Sequence, residues 1–301
     1  MADLRIREVR LRDATQVLEI TRASFPEERA LQSLSPAGVR GLFCFYRLLR
    51  ALQRLRGKPW FKMYVAEAGG QVVARVMVDW HRRYAYVRSL MVHPEFRGQG
   101  IGRRLLSHAV EEAFRFGAPK VVLDVRADNT LACRLYESLG FRTFEERVEL
   151  LREASPLQVE TSWPRGFRCA RVCPWDRRVW KVLEASRTPE AAAVYGPWPR
   201  FSLLRRLVFR RIWLVAEAQG QAAALLILGG KNPVRLNVLV LPEYEGAGLE
   251  EALLALGLRE ARGKTVALRT RAHKTRLLRV AQELGFQEKA RVRGMVLEKR
   301  G

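Results

Sequence analysis

The sequence predicts an α/β protein built as two tandem copies of one fold. Three observations carry that reading. Strand patterns alternate with amphipathic helical patterns along the chain. A glycine-punctuated strand–turn–helix element runs from Leu90 to Leu106. Landmarks of the first half then recur, in order, in the second. Val65-Ala66-Glu67-Ala68 returns as Val215-Ala216-Glu217-Ala218 at an offset of 150, and Met91-Val-His-Pro94-Glu-Phe-Arg97-Gly-Gln-Gly100 as Leu239-Val-Leu-Pro242-Glu-Tyr-Glu245-Gly-Ala-Gly248 at 148. Ser138-Leu-Gly-Phe141 returns as Glu283-Leu-Gly-Phe286 at 145. Ordered matches with slowly drifting offsets mark an internal duplication.

The elements of the first copy follow from periodicity and punctuation. Leu4 to Val9 alternates as a strand, and Asp13 is a plausible cap for a helix over Thr15 to Arg22. After a Ser/Pro break, Val39 to Arg56 reads as a basic amphipathic helix, with Arg40, Arg47, Arg50 and Arg54 on one face and Leu42, Phe43, Tyr46 and Leu49 on the other. Met63–Ala68 and Gln71–Asp79 form a hairpin through Gly69-Gly70, and Tyr84–Val92 is the next strand. The helix Ile101–Phe116 repeats Ile101, Leu105, Leu106, Ala109, Val110 and Phe114 on one face and stops at Gly117 and Pro119. Lys120–Val125 is a strand, Asn129–Leu139 a helix ended by Gly140, and Phe141–Leu150 the last strand. The order predicts one domain over 1–152, a linker over 153–166 with Ser155-Pro156 and Pro164, and a second domain over 167–301.

Composition bounds the function. The net charge is +23, with 26 basic and 17 acidic residues in 1–150 and 28 and 14 in 151–301. Such an excess suits an acidic partner or RNA, but a solvated arginine surface is the plainer account of it. No apolar run approaches the roughly 20 residues of a membrane helix. No signal-peptide core opens the chain, so a cytoplasmic location is expected. Four cysteines and four histidines show neither a disulfide framework nor ligand spacing; Cys169 and Cys173 stand about 13 Å apart along a strand. No metal site is expected.

The stretch Leu90–Leu106 is built for an anion. Gly98, Gly100 and Gly102 let the backbone approach a ligand, and the helix that follows aims its unpaired N–H groups and positive dipole end into the turn. Arg97 opens an Arg-x-x-Gly-x-Gly pattern that is neither the dinucleotide fingerprint nor a triphosphate loop. Downstream stand Asp124-Val-Arg-Ala-Asp-Asn129 and Leu135-Tyr136-Glu-Ser-Leu-Gly-Phe141. Together these segments resemble the GCN5-related N-acetyltransferase (GNAT) superfamily, and the second is closest to the bacterial ribosomal-protein N-terminal acetyltransferases.

The resemblance implies a mixed, mostly antiparallel sheet flanked by helices, with a splayed central strand pair, in each copy. It also implies acetyl-CoA as cosubstrate and transfer of its acetyl group to a primary amine, of a protein N-terminus or a small molecule, by direct attack through a tetrahedral intermediate. In that scheme Gly98, Gln99, Gly100, Ile101, Gly102 and Arg103 present backbone N–H groups to the pyrophosphate, with Arg97 beside them. Leu90, Met91 and Val92 pair with the pantetheine arm, Val92 N–H is the oxyanion donor, Asn129 orients the thiol arm and Tyr136 is the general acid. Asp124 takes the base position, one methylene shorter than the family's glutamate; Glu67, Asp79, Glu27, Glu28 or a water are the alternatives. In the second copy Arg97 becomes Glu245, Gly102 becomes Glu250, Asn129 becomes Lys274 and Tyr136 becomes Ala281, so the fold is expected there without a competent CoA site. A non-catalytic acetyl-CoA-responsive module whose basic second half docks RNA or an acidic protein is the alternative function.

Overall fold

The computed structural model describes residues 4–24, 59–155, 163–196 and 211–299, together with Ser35, Gly38, Gly41 and Gly57. The basic helix expected over Val39–Arg56 therefore lies, apart from Gly41, outside the described residues, as do Glu27, Glu28 and residues 156–162 of the expected linker. Two compact units emerge. The first comprises residues 1–124, 131–142 and 295–301, and the second 125–130 and 143–294.

In the first unit, β1 (Arg5–Glu8), β2 (Phe61–Ala68), β3 (Gln71–Trp80) and β4 (Ala85–Val92) pair antiparallel in sequence order, and β4 pairs parallel with β5 (Lys120–Arg126). Helix α1 (Ala14–Ser24) packs Ala14, Val17 and Ile20 against Met63, Val65 and Val72. Helix α2 (Ile101–Arg115) buries Ile101, Leu105, Leu106, Ala109, Val110 and Ala113. The burial of Ala113 in place of the expected Phe114 keeps the stripe at i, i+4, i+8 and i+12 from Ile101. Each of Leu105, Leu106 and Val110 contributes about 1.5–3 kcal/mol by leaving water. Helix α3 (Thr130–Ser138) follows β5, and Gly140, at φ 89°, ends it.

The second unit repeats this order. β7 (Phe167–Arg171), α4 (Arg177–Ala185) and α5 (Pro189–Tyr195) precede β8 (Arg211–Ala218), β9 (Gln221–Gly229) and β10 (Val234–Val240). Then come α6 (Leu249–Ala261), β11 (Val266–Arg271), α7 (Thr275–Glu283) and β12 (Gln287–Glu298). β7 to β10 pair antiparallel, and β10 pairs parallel with β11. Both copies carry the same bulge, with Val73 in β3 the extra residue opposite Ala66 and Glu67 of β2, and Ala223 in β9 the extra residue opposite Ala216 and Glu217 of β8.

The compact units cross the spans 1–152 and 167–301 read from the sequence. Strand β6 (Arg142–Arg152), which ends the first copy, pairs antiparallel with β11 from Arg147↔Arg271 to Arg152↔Val266, and Met295–Gly301 is counted with the first unit. The first copy is thus not closed by its own last strand, because the backbone groups of β6 find their partners on β11. Among the described residues no helix is long and apolar enough to cross a membrane.

Candidate active site

The first-unit site begins where β4 and β5 part. They pair only at Ala85–Val87 with Val121–Leu123, so Arg88–Val92 and the residues after Leu123 diverge. A bulge enforces the divergence: Ser89 and Leu90 together oppose the single residue Val76, and Ser89 takes φ 55°, unusual for a side-chain-bearing residue. Beyond the bulge, His93 N–H returns to Val73 O at 2.9 Å on the β3 side. Because backbone groups alternate sides along a strand, the Val92 N–H and C=O face the open cleft. Arg97 Nε donates to that Val92 carbonyl at 3.2 Å.

The glycine turn closes one end of the cleft. Pro94–Phe96 forms a short 3-10 turn, Gly98 and Gly100 take φ 76° and 73°, and Gly100 caps α2. Arg104 N–H is the first to reach an intrahelical carbonyl, Gly100 O at 3.1 Å, so those of Ile101, Gly102 and Arg103 are the orphan donors of the helix start. A Cβ at Gly98 or Gly100 would meet nothing within 4 Å, whereas one at Gly102 would touch Val92 and Leu135. The turn is therefore an open cradle with a dipole behind it, and its donors fit a phosphate group.

Two titratable groups flank the cleft. Asp124, the first β5 residue past the last paired one, accepts a hydrogen bond from Tyr86 Oη at 2.9 Å. Of the other described carboxylates proposed as bases, Glu67 accepts from Arg7 Nε at 2.7 Å and Asp79 pairs with Arg88 Nε at 2.9 Å. Tyr136 is buried on α3, and burial first, with Cys133 beside it, pushes its pKa up to about 12. Its helix is tied to the glycine turn: Arg103 donates to Ser138 Oγ at 2.6 Å, and Ser138 Oγ donates to Leu135 O at 2.7 Å. Asn129 is exposed in the turn before α3, within the segment Val125–Thr130 that is counted with the second unit. The Tyr86–Asp124 and Arg103–Ser138 contacts escape sequence reasoning, because strand pairing and helix packing bring residues together across 38 and 35 positions of chain. Among the described residues no group of three or more His, Cys, Asp or Glu side chains is placed to hold a metal ion.

The second unit carries the same turn, filled. Gly246 and Gly248 keep φ 88° and 85°, but Gly246 N–H donates to Glu250 Oε1 at 3.4 Å, so the protein's own carboxylate takes up a donor of this turn. Glu250 is 2% exposed, and its burial raises the pKa of the carboxyl. Glu245 pairs with Lys274, so the residues replacing Arg97 and Asn129 bond to each other across the mouth. Strand β10 runs against β9 in unbroken register from Arg235↔Gly229 to Val240↔Ala224, without the bulge of β4.

Comparison with known proteins identifies the fold. Residues 16–141 match the profile of the Acetyltransferase (GNAT) family. A GCN5-related N-acetyltransferase from Sphaerobacter thermophilus superposes with a TM-score of 0.68 at 20% identity, covering 99% of this chain and 96% of that one. A tandem GNAT protein from the clavulanic acid biosynthesis pathway gives 0.64 at 17% identity, covering 98% of both. A structure from Pyrococcus horikoshii gives 0.58 at 14% identity, over 99% and 90%. At these identities the likeness is one of fold, and it spans both copies.

Proposed function

The chain carries a GNAT-family acetyltransferase domain within a tandem GNAT-like fold, and from that premise we propose that it is an N-acetyltransferase that moves the acetyl group of acetyl-CoA to a primary amine. Acetyl-CoA supplies the activated thioester. The backbone N–H groups from Gly98 to Arg103 receive the pyrophosphate, with Arg97 beside it, and Leu90–Val92 offer their open side to the pantetheine arm.

Attack by an amine requires a free lone pair. Asp124, positioned by Tyr86, removes the proton directly or through a water as the nitrogen bonds to the acetyl carbon. Val92 N–H, on the cleft side of its strand, stabilises the charge that grows on the carbonyl oxygen. When the carbon–sulfur bond breaks, Tyr136 gives its proton to the sulfur; burial keeps the phenol protonated until then. The products are the N-acetylated amine and free CoA. A protein N-terminus or a small amine fits this chemistry equally.

One observation carries the reading: the first turn is an open donor cradle beside a splayed strand, and the second turn is occupied by Glu250. Calorimetry on the full chain tests it. One acetyl-CoA per chain is expected, with thiol release on addition of amine acceptors from a panel of peptides, polyamines and aminoglycosides. Two equivalents bound, or binding unaffected by Gly100→Asp, overturns the site. Binding without thiol release from any acceptor favours the non-catalytic module.

A further inference from the structure

The second unit keeps the cleft that its filled turn no longer serves. β10 and β11 pair only at Val234–Leu236 with Val266–Leu268 and then diverge, leaving a cavity of about 360 Å³. That volume lies at the small end of ordinary ligand pockets, which run from about 300 to 1,000 Å³. Leu183, Ile227, Val238 and Leu277 give it apolar walls. At the turn, Glu250 holds the Gly246 N–H, Glu245 holds Lys274 and Arg276 holds Glu251, so both cations there already have a carboxylate partner within the protein.

The β11 side is different. Arg147 and Arg271 converge on one carboxylate, Glu145, whose side chain is 6% exposed, at 3.5 and 3.7 Å. Both distances exceed a charge-assisted hydrogen bond of about 2.7–2.9 Å. Tyr195 Oη also reaches Glu145, at 3.5 Å, and one Arg271 nitrogen donates to Ser186 O. Arg271 Nε is buried and makes no hydrogen bond. A mostly buried guanidinium with an unused donor, facing a cavity with apolar walls, is costly to desolvate unless an anion completes its shell.

We propose that this cavity binds a small organic carboxylate, its head group on Arg271 beside Arg147 and its apolar body against Leu183, Ile227, Val238 and Leu277. Arginine's planar fork matches a carboxylate, and the walls recognise hydrocarbon. CoA is excluded from this cleft by Glu250. The second copy would thus have exchanged a cofactor cleft for a small-molecule site.

The test uses the full chain with butyrate, hexanoate and phenylacetate, each beside its neutral amide, and with inorganic phosphate, read by thermal shift and calorimetry with and without saturating acetyl-CoA. At least one acid should bind saturably, more tightly than its amide and than phosphate, and without displacing acetyl-CoA. Arg271→Met should weaken it about 10- to 100-fold, as for a lost charge-assisted hydrogen bond. Glu145→Gln should tighten it by removing the competing carboxylate, and this variant carries the test if Arg271→Met does not fold. The proposal is overturned if no acid binds, if acid and amide bind alike, if phosphate binds as well, if acetyl-CoA competes, or if neither variant moves the affinity in its stated direction.

Discussion

Glu67 and Glu217, 150 residues apart, occupy one structural position: each lies opposite the bulge of the next strand, and each is held by an arginine that also grips an aspartate. In the first unit Arg7 bridges Glu67 and Asp13, and in the second Arg178 bridges Glu217 and Asp176. The arginines come from different elements, β1 in one copy and the start of α4 in the other. A carboxylate locked this way in both copies, including the one with a filled turn, serves the fold. A Glu67 that took up a proton would lose its arginine contact. Asp124, which accepts from the Tyr86 hydroxyl, is the base in the mechanism we propose.

The Arg7–Asp13 pair should set part of the acid stability. Burial opposes the Asp13 charge, but the Arg7 hydrogen bonds and the Arg10 N–H outweigh it and hold the pKa below the usual carboxylate value. A carboxyl depressed on folding contributes stability that is present above its unfolded pKa and lost as pH falls through the folded one. Asp13→Asn should cost about 2–4 kcal/mol at neutral pH, because it leaves Arg7 underpaired, and flatten the acid limb of stability. Urea melts from neutral to strongly acidic pH check this; an unchanged midpoint contradicts it.

Arg75 should lower stability. It is 7% exposed on β3, opposite Val65 and Met91 on the apolar α1 face, and its side chain donates to Met77 Sδ at 3.3 Å. Desolvation, with Arg88 adding to it, brings its pKa down to about 10. Folding therefore works against this charge at neutral pH, and stability should rise as pH passes upward through 10. Arg75→Met should stabilise by about 1–3 kcal/mol. A lower melting temperature for the variant would refute the assignment.

Tyr136→Phe should lower kcat about 10- to 1000-fold, the range of a lost general acid, with acetyl-CoA affinity nearly unchanged. Since burial moves the phenol to about 12, no alkaline fall in kcat from this group should appear around pH 10. Steady-state thiol release across pH reads both, and an unaltered kcat removes Tyr136 from the chemistry.

Asp124→Asn and Tyr86→Phe should act on one step. The aspartate variant is expected to lower kcat/KM by about 100-fold or more and the tyrosine variant by less, since the hydroxyl only positions the carboxylate. The double variant should be no worse than Asp124→Asn alone, as groups acting together are non-additive. A fully multiplicative double loss would separate them.

The element order, the duplication and the two glycine turns were legible in the sequence because they are local. A period of two or 3.6, a glycine at a positive-φ position and an arginine replaced by glutamate are each written within a few residues. Drifting offsets were visible too, but their cause was not. Met77 lies opposite Arg88 and Ile227 opposite Asn237, so the hairpin has lost one residue; Ala74 lies opposite Val92 and Ala224 opposite Val240, so the bulge has lost another. The offset falls from 150 to 148 because the second copy has a hairpin one residue shorter and no bulge in β10.

By itself, then, the sequence determined a tandem α/β fold with one open anion turn and one spoiled by carboxylates. Tertiary structure decided what those carboxylates do: Glu250 turns inward onto Gly246 N–H and Glu245 meets Lys274, pairings between segments that folding alone brings together. It also decided which strand completes each unit, since the backbone groups of β6 can pair with any compatible edge and only the assembled sheet selects β11. Periodicity names the elements, and long-range hydrogen bonding chooses their partners.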